Sequence, residues 1–75
     1  MRRQMIYPEI AKYMAIKRVN QKELAGYIGI SQQSLSVKLI GKADFRLSEV
    51  TAIRDYFRNA NPDITMDKLF EKNLG

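Results

Sequence analysis

Apolar residues recur along this chain at spacings of three and four, and no stretch alternates as a half-buried strand would, so the pattern predicts helices and nothing else. The first runs from Pro8, whose missing N–H suits the first helical position, to about Arg18. Ile6, Ile10, Tyr13 and Met14 form its apolar stripe; Met5 and Ile16 fall off the stripe and are expected to be exposed. Asn20 opens the second helix. Its side chain can cap the first free N–H groups, and Glu23, three residues on, can reach back to complete a capping box. Val19 and Leu24 flank that cap at the spacing of a hydrophobic staple. The same arrangement recurs at Ser31, with Ile30 and Leu35, and at Thr65, with Ile64 and Leu69.

Between these starts lie matching stops. Gly29 supplies the positive φ that a sharp turn between helices two and three needs, and Gly41 stands where helix three, residues 32 to 40, should end. A fourth helix is expected from about Leu47 to Asn59, with Leu47, Val50, Ile53 and Phe57 on its inner face, Tyr56 beside them, and Pro62 preventing continuation. The fold class predicted is therefore all-α: a compact five-helix domain of residues 1 to 75, with a core region of about 8 to 70. Ala25, four residues before Gly29, is small enough to let helices two and three cross closely.

Helix three carries the chemistry. At 100° per residue Leu35 and Leu39 fall together and must turn inward, which leaves Gln32, Gln33, Ser36, Val37 and Ile40 on the other side. That side has amides and hydroxyls at the helix N-terminus and no acid. Such groups can read base edges in a DNA major groove, where a carboxylate would meet phosphate repulsion. Gln32 and Gln33 are long enough for a bidentate pair with adenine, and Val37 can pack on a thymine methyl. Phosphate contacts are expected from Gln21, at the N-terminus of helix two, and from Ser34, Ser36, Lys38 and Lys42 beside the reading face. The competing reading of each residue is an ordinary solvated helix position.

Charge and composition narrow the picture further. The net charge is +5, and residues 1 to 43 hold eight Lys or Arg against two acids, whereas residues 44 to 75 hold five against six. The positive surplus thus lies with the reading motif and suits a phosphate backbone, though an acidic surface would be attracted too. With neither Cys nor His in 75 residues, disulfides, thiolate nucleophiles, imidazole bases and the common zinc ligand sets are excluded by inventory. A domain this small buries only about 60% of its unfolded surface, so a deep substrate pocket is not expected. Met1-Arg2-Arg3-Gln4-Met5-Ile6-Tyr7 lacks the apolar core of a signal peptide, and no apolar run approaches the ~20 residues of a membrane span, so a cytoplasmic protein is expected.

Gln21-Lys22-Glu23-Leu24-Ala25 followed by Ile28-Gly29-Ile30-Ser31-Gln32-Gln33-Ser34-Leu35-Ser36 resembles the helix-turn-helix of the phage repressor and Cro family, also called the xenobiotic-response-element family. Gly41, the segment Phe45-Arg46-Leu47-Ser48-Glu49-Val50, and residues 64 to 70 extend the likeness over roughly residues 8 to 70. The resemblance implies a lambda-repressor-like fold that regulates transcription, with Gln21 on phosphate and Gln32 and Gln33 in the groove. It implies double-stranded DNA as partner and a homodimer on a palindromic operator, without cofactor or metal. Lys38 and Arg46 depart from the family pattern, the first from an apolar residue and the second from a capping Ser or Thr. A stand-alone Cro-like module of a bacterium, phage or mobile element is the expectation, because no oligomerisation or effector domain is visible. Apolar residues of the C-terminal half, among Tyr56, Phe57, Ile64, Met66 and Phe70, are candidates for a dimer patch. The rival from another class is a protein-interaction module, antitoxin-like or anti-regulator, whose basic face docks an acidic protein. Catalysis is disfavoured because Glu9, Glu23 and Glu49 read as surface or capping residues.

Overall fold

The computed structural model describes residues 5–73. Five helices follow in order, α1 (Pro8–Lys17), α2 (Gln21–Ile28), α3 (Gln32–Leu39), α4 (Leu47–Phe57) and the single turn α5 (Met66–Leu69), and no strand occurs among the described residues. The starts are set by local side-chain chemistry. Asn20 Oδ1 accepts the Glu23 N–H at 2.8 Å while the Glu23 carboxylate accepts the Asn20 N–H at 3.1 Å, so the capping box is complete. Ser31 Oγ accepts the Ser34 N–H at 3.1 Å, and Thr65 Oγ1 accepts the Lys68 N–H at 3.2 Å. Each cap satisfies a donor that the helix itself leaves free.

The first three helices stop on left-handed backbone. Arg18 (φ 54°) closes α1, returning its N–H to Ala15 and handing Val19 to the core. Gly29 (φ 82°) closes α2, and both its N–H and that of Ile30 bond to the Ala25 carbonyl. Gly41 (φ 87°) follows α3 and is doubly constrained, since a Cβ there would stand 2.7 Å from Ile6 Cδ1. Glycine meets both demands, the backbone sign and the close approach.

Ile10, Leu24, Leu35, Leu39, Ile53, Phe57 and Leu69 are wholly buried and draw on all five helices. Helix α2 packs on α3 and α4, with Ala25 buried between its larger neighbours, and α5 packs on α1 and α4. A second apolar group joins segments distant in sequence: Tyr7, Phe45 and Phe70 meet edge-to-face with ring centroids 5.3 to 5.7 Å apart. Beside it, the Ile6 N–H donates to the Leu39 carbonyl at 2.9 Å and the Asn73 N–H to the Ile6 carbonyl at 2.7 Å. The two flanks of the chain are therefore tied together across the C-terminal end of α3.

Three expectations change. Helix α4 stops at Phe57, two residues early, because Ala60 and Asn61 both turn their N–H groups back to the Phe57 carbonyl. Leu47, expected on the inner face, is 75% exposed, while Glu49, read as a surface or capping residue, does cap the Arg46 N–H but is only 6% exposed. At 100° per residue Leu47 lies about 120° round the helix from Ile53, whereas Glu49 lies about 40° from it, so the geometry favours the acid once it has a partner. Met5 is half-buried against the core, whereas Ile16 is exposed as its register requires.

Candidate nucleic-acid interface

Helix α3 rests on Leu35 and Leu39, both at zero exposure. The remaining positions divide by depth. Gln32 and Gln33 stand exposed in the first turn, and Ser36, Val37 and Ile40 are half-buried farther along. No side-chain hydrogen bond engages either Gln amide among the described residues, so each keeps two donors and an acceptor for an incoming partner. The helix has no acidic residue in its first turn, and the nearest one on α2, Glu23, is occupied by its own cap.

The expected phosphate contacts are distributed less evenly. Gln21 is the first residue of α2, the helix packed directly on α3, and is half-buried. Ser34 is half-buried and its hydroxyl accepts from Ser31 Oγ at 2.9 Å, which leaves its own proton free to donate. Lys42 is exposed just past the Gly41 turn, with its backbone N–H bonded to the Val37 carbonyl. Arg2 and Arg3, part of the basic surplus, lie outside the described residues.

Lys38 does not belong with this group. Its side chain is only 13% exposed, and its Nζ sits 2.6 and 2.7 Å from the two carboxylate oxygens of Glu49. The same carboxylate accepts the Arg46 N–H at 2.9 Å. Arg46 has no side-chain acceptor, so at this helix start only the reciprocal half of a capping box forms, supplied by Glu49. Burial alone would raise the Glu49 pKa. The hydrogen bonds from Lys38 and Arg46 and their positive charges outweigh it and hold the carboxyl below its ordinary value. An ammonium bound in this way is turned inward, toward α4, and is not offered to an external anion. Local reading finds the cap at Glu49 but misses its burial and its pairing with Lys38. The sequence signal for that pairing is the coincidence of two departures from the family pattern, Lys38 and Arg46, both of which Glu49 contacts.

On the opposite flank, Phe57 and Ile64 are core residues and drop out of the candidate dimer patch. Tyr56 is half-buried against Tyr27, with ring centroids 4.5 Å apart, and Lys17 Nζ lies over its ring. Met66 and Phe70 line an open groove with Tyr7, Phe45 and Val50, flanked by Asp44, Asp67 and Lys72.

Two short helices joined at Gly29, the second laid on a five-helix frame with its amide side outward, make up the fold of a helix-turn-helix repressor domain. The solution structure of the SOS-response transcriptional repressor LexA from Eubacterium rectale is similar, with a TM-score of 0.68 and 30% sequence identity over 89% of this chain and 66% of that one. The chain thus spans a little under two thirds of that repressor's solved length. No protein-family model and no curated protein matches the chain. No helix among the described residues is long and apolar enough to cross a membrane.

Proposed function

We propose that this protein binds double-stranded DNA in a sequence-specific way as a transcriptional regulator of the phage repressor and Cro (xenobiotic-response-element) kind. The observation that carries the reading is the posture of α3: Leu35 and Leu39 are buried beneath it while Gln32 and Gln33 stand exposed at its start, uncapped by any acid. The likeness to a solved transcriptional repressor supports it. Gln32 and Gln33 read base edges in the major groove, and Ser36 and Val37 extend the contact along the helix. Gln21, Ser34 and Lys42 hold phosphates on either side, and Lys38 is withdrawn from that set by Glu49.

An eight-residue helix spans only a few base pairs. Useful affinity therefore comes from two copies on half-sites about 34 Å apart, one turn of the duplex, and hence on a palindromic operator. Selection of bound sites from random duplexes, followed by anisotropy titrations over a range of salt, tests the reading. The expected results are an enriched palindrome and an affinity that falls steeply as salt rises, because counterions are released from the phosphates. Equal affinity for every duplex, or a flat salt response, would sink it.

A further inference from the structure

The Lys38–Glu49 pair is the one ion pair among the described residues that joins two different helices; the others lie within α1 or at the C-terminal ends of α4 and α5. It fastens the last turn of α3 to the first turn of α4, and the carboxylate is itself fixed by the Arg46 N–H. Leu35 and Leu39 alone would not orient α3 so closely, because apolar contact is non-directional and tolerates a roll of the helix about its axis. A buried ion pair does resist a roll: turning α3 would draw Lys38 Nζ away from both Glu49 oxygens and leave two charges buried without a partner. A buried pair of this sort adds little net stability over an apolar replacement, because desolvation offsets its attraction, and its best-attested use is to specify one register among several.

We propose that Glu49 is a positioning residue for base readout: acting through Lys38, it sets the roll of α3 and so fixes which base edges Gln32, Gln33, Ser36 and Val37 meet. Lys38 adjoins Val37 in α3, so a rotation at this turn is carried rigidly along a helix of eight residues to the amides at its start. The inference rests on the DNA-reading function proposed above. It assigns specificity to a side chain that touches no DNA.

The test compares affinity for the selected operator with affinity for a scrambled duplex at one fixed salt concentration. The double change Lys38→Met, Glu49→Gln removes the pair without altering net charge, and Glu49→Gln keeps an acceptor for the Arg46 N–H. The specificity ratio should fall by about tenfold or more, on the scale of one good base contact. Affinity for the scrambled duplex and the salt slope should stay near the wild-type values. An unchanged ratio in the double variant overturns the proposal. So does an equal loss on both duplexes, since that is what mere loosening of the fold would produce. If the double variant does not fold, Glu49→Asp keeps the charge but shortens the reach by one methylene, and the same two outcomes apply. A wild-type protein that prefers no duplex overturns the functional reading and this inference together, whereas a selective wild type with an indifferent Glu49 overturns the inference alone.

Discussion

The two ends of α3 are built on opposite plans. At its start the chain offers one cap, Ser31, and two exposed glutamines whose amides make no hydrogen bond within the described residues. At its end it is held on three sides: by Glu49 through Lys38, by the Ile6 N–H on the Leu39 carbonyl, and by Leu39 itself at zero exposure. A helix fastened at one end and open at the other can present side chains to a ligand without drawing on them for fold stability. The contrast yields an ordering: loss of apolar burial at the fastened end should act on folding, loss of the Lys38–Glu49 pair there on the orientation of the helix, and substitutions of the exposed amides at the open end on recognition.

The strongest challenge to that division is Leu39→Ala. Removing a wholly buried leucine leaves a cavity and costs about 2–5 kcal/mol. A domain of this size has on the order of 5 kcal/mol in total or a little more, so the variant should be largely unfolded or have a greatly lowered denaturant midpoint. Urea titration followed by circular dichroism measures it. A loss below about 1 kcal/mol would mean that α3 is not seated on its C-terminal leucine.

Acid should act on the same end. The Glu49 carboxyl sits below its ordinary value in the folded protein, so the stability it contributes is present above the unfolded-state value near 4.5 and is lost as pH falls through the folded value. Stability measured from about pH 6 downward should fall on the acid side, and in the Lys38→Met, Glu49→Gln variant that fall should be shallower. Equal slopes in the two proteins would show that the pair plays no part in acid sensitivity.

The division also explains which features could be read from the chain. Asn20, Ser31 and Thr65 announce their helices because a cap and the N–H it satisfies lie within three residues of one another. Leu35 and Leu39 are legible for the same reason, both belonging to one helix with one period. Glu49 is not, since the cause of its burial lies eleven residues away on another helix. Leu47 is misplaced for a simpler reason, since at 100° per residue it lies about 120° round the helix from the buried Ile53. Phe45 likewise lies in a loop without periodicity and joins Tyr7 and Phe70 only when the fold brings three segments together. The proposed reading face consists of local, exposed residues that the chain displays directly; the parts that orient it are set by contacts between distant segments.

Substitutions nearer the open end should be milder. Ser31→Ala deletes the acceptor for the Ser34 N–H and should cost about 1 kcal/mol, the usual value of an N-cap. Gly29→Ala should cost a similar amount for a different reason: a Cβ there meets open space, so the penalty is the left-handed φ of 82° alone, about 1–2 kcal/mol. Denaturant midpoints for the two variants check both values. Were Gly29→Ala neutral, the turn between α2 and α3 would have to adopt some other backbone.

The smallest effect on folding is expected at the residues with the largest role in recognition. Gln32→Ala with Gln33→Ala removes two exposed side chains that have no hydrogen-bond partner in the described fold, so stability should move by no more than about 0.5 kcal/mol, with the thermal midpoint nearly unchanged. Discrimination between the selected operator and a scrambled duplex should meanwhile fall by about 1–3 kcal/mol for each amide–base pairing that the change abolishes. The salt slope should stay as it was, since an uncharged amide releases no counterion. These three readouts separate the possible failures. A sharp drop in the midpoint would place the amides in the core and undo the proposed reading face, whereas an equal loss of affinity for both duplexes, with selectivity intact, would move them from base edges to the backbone.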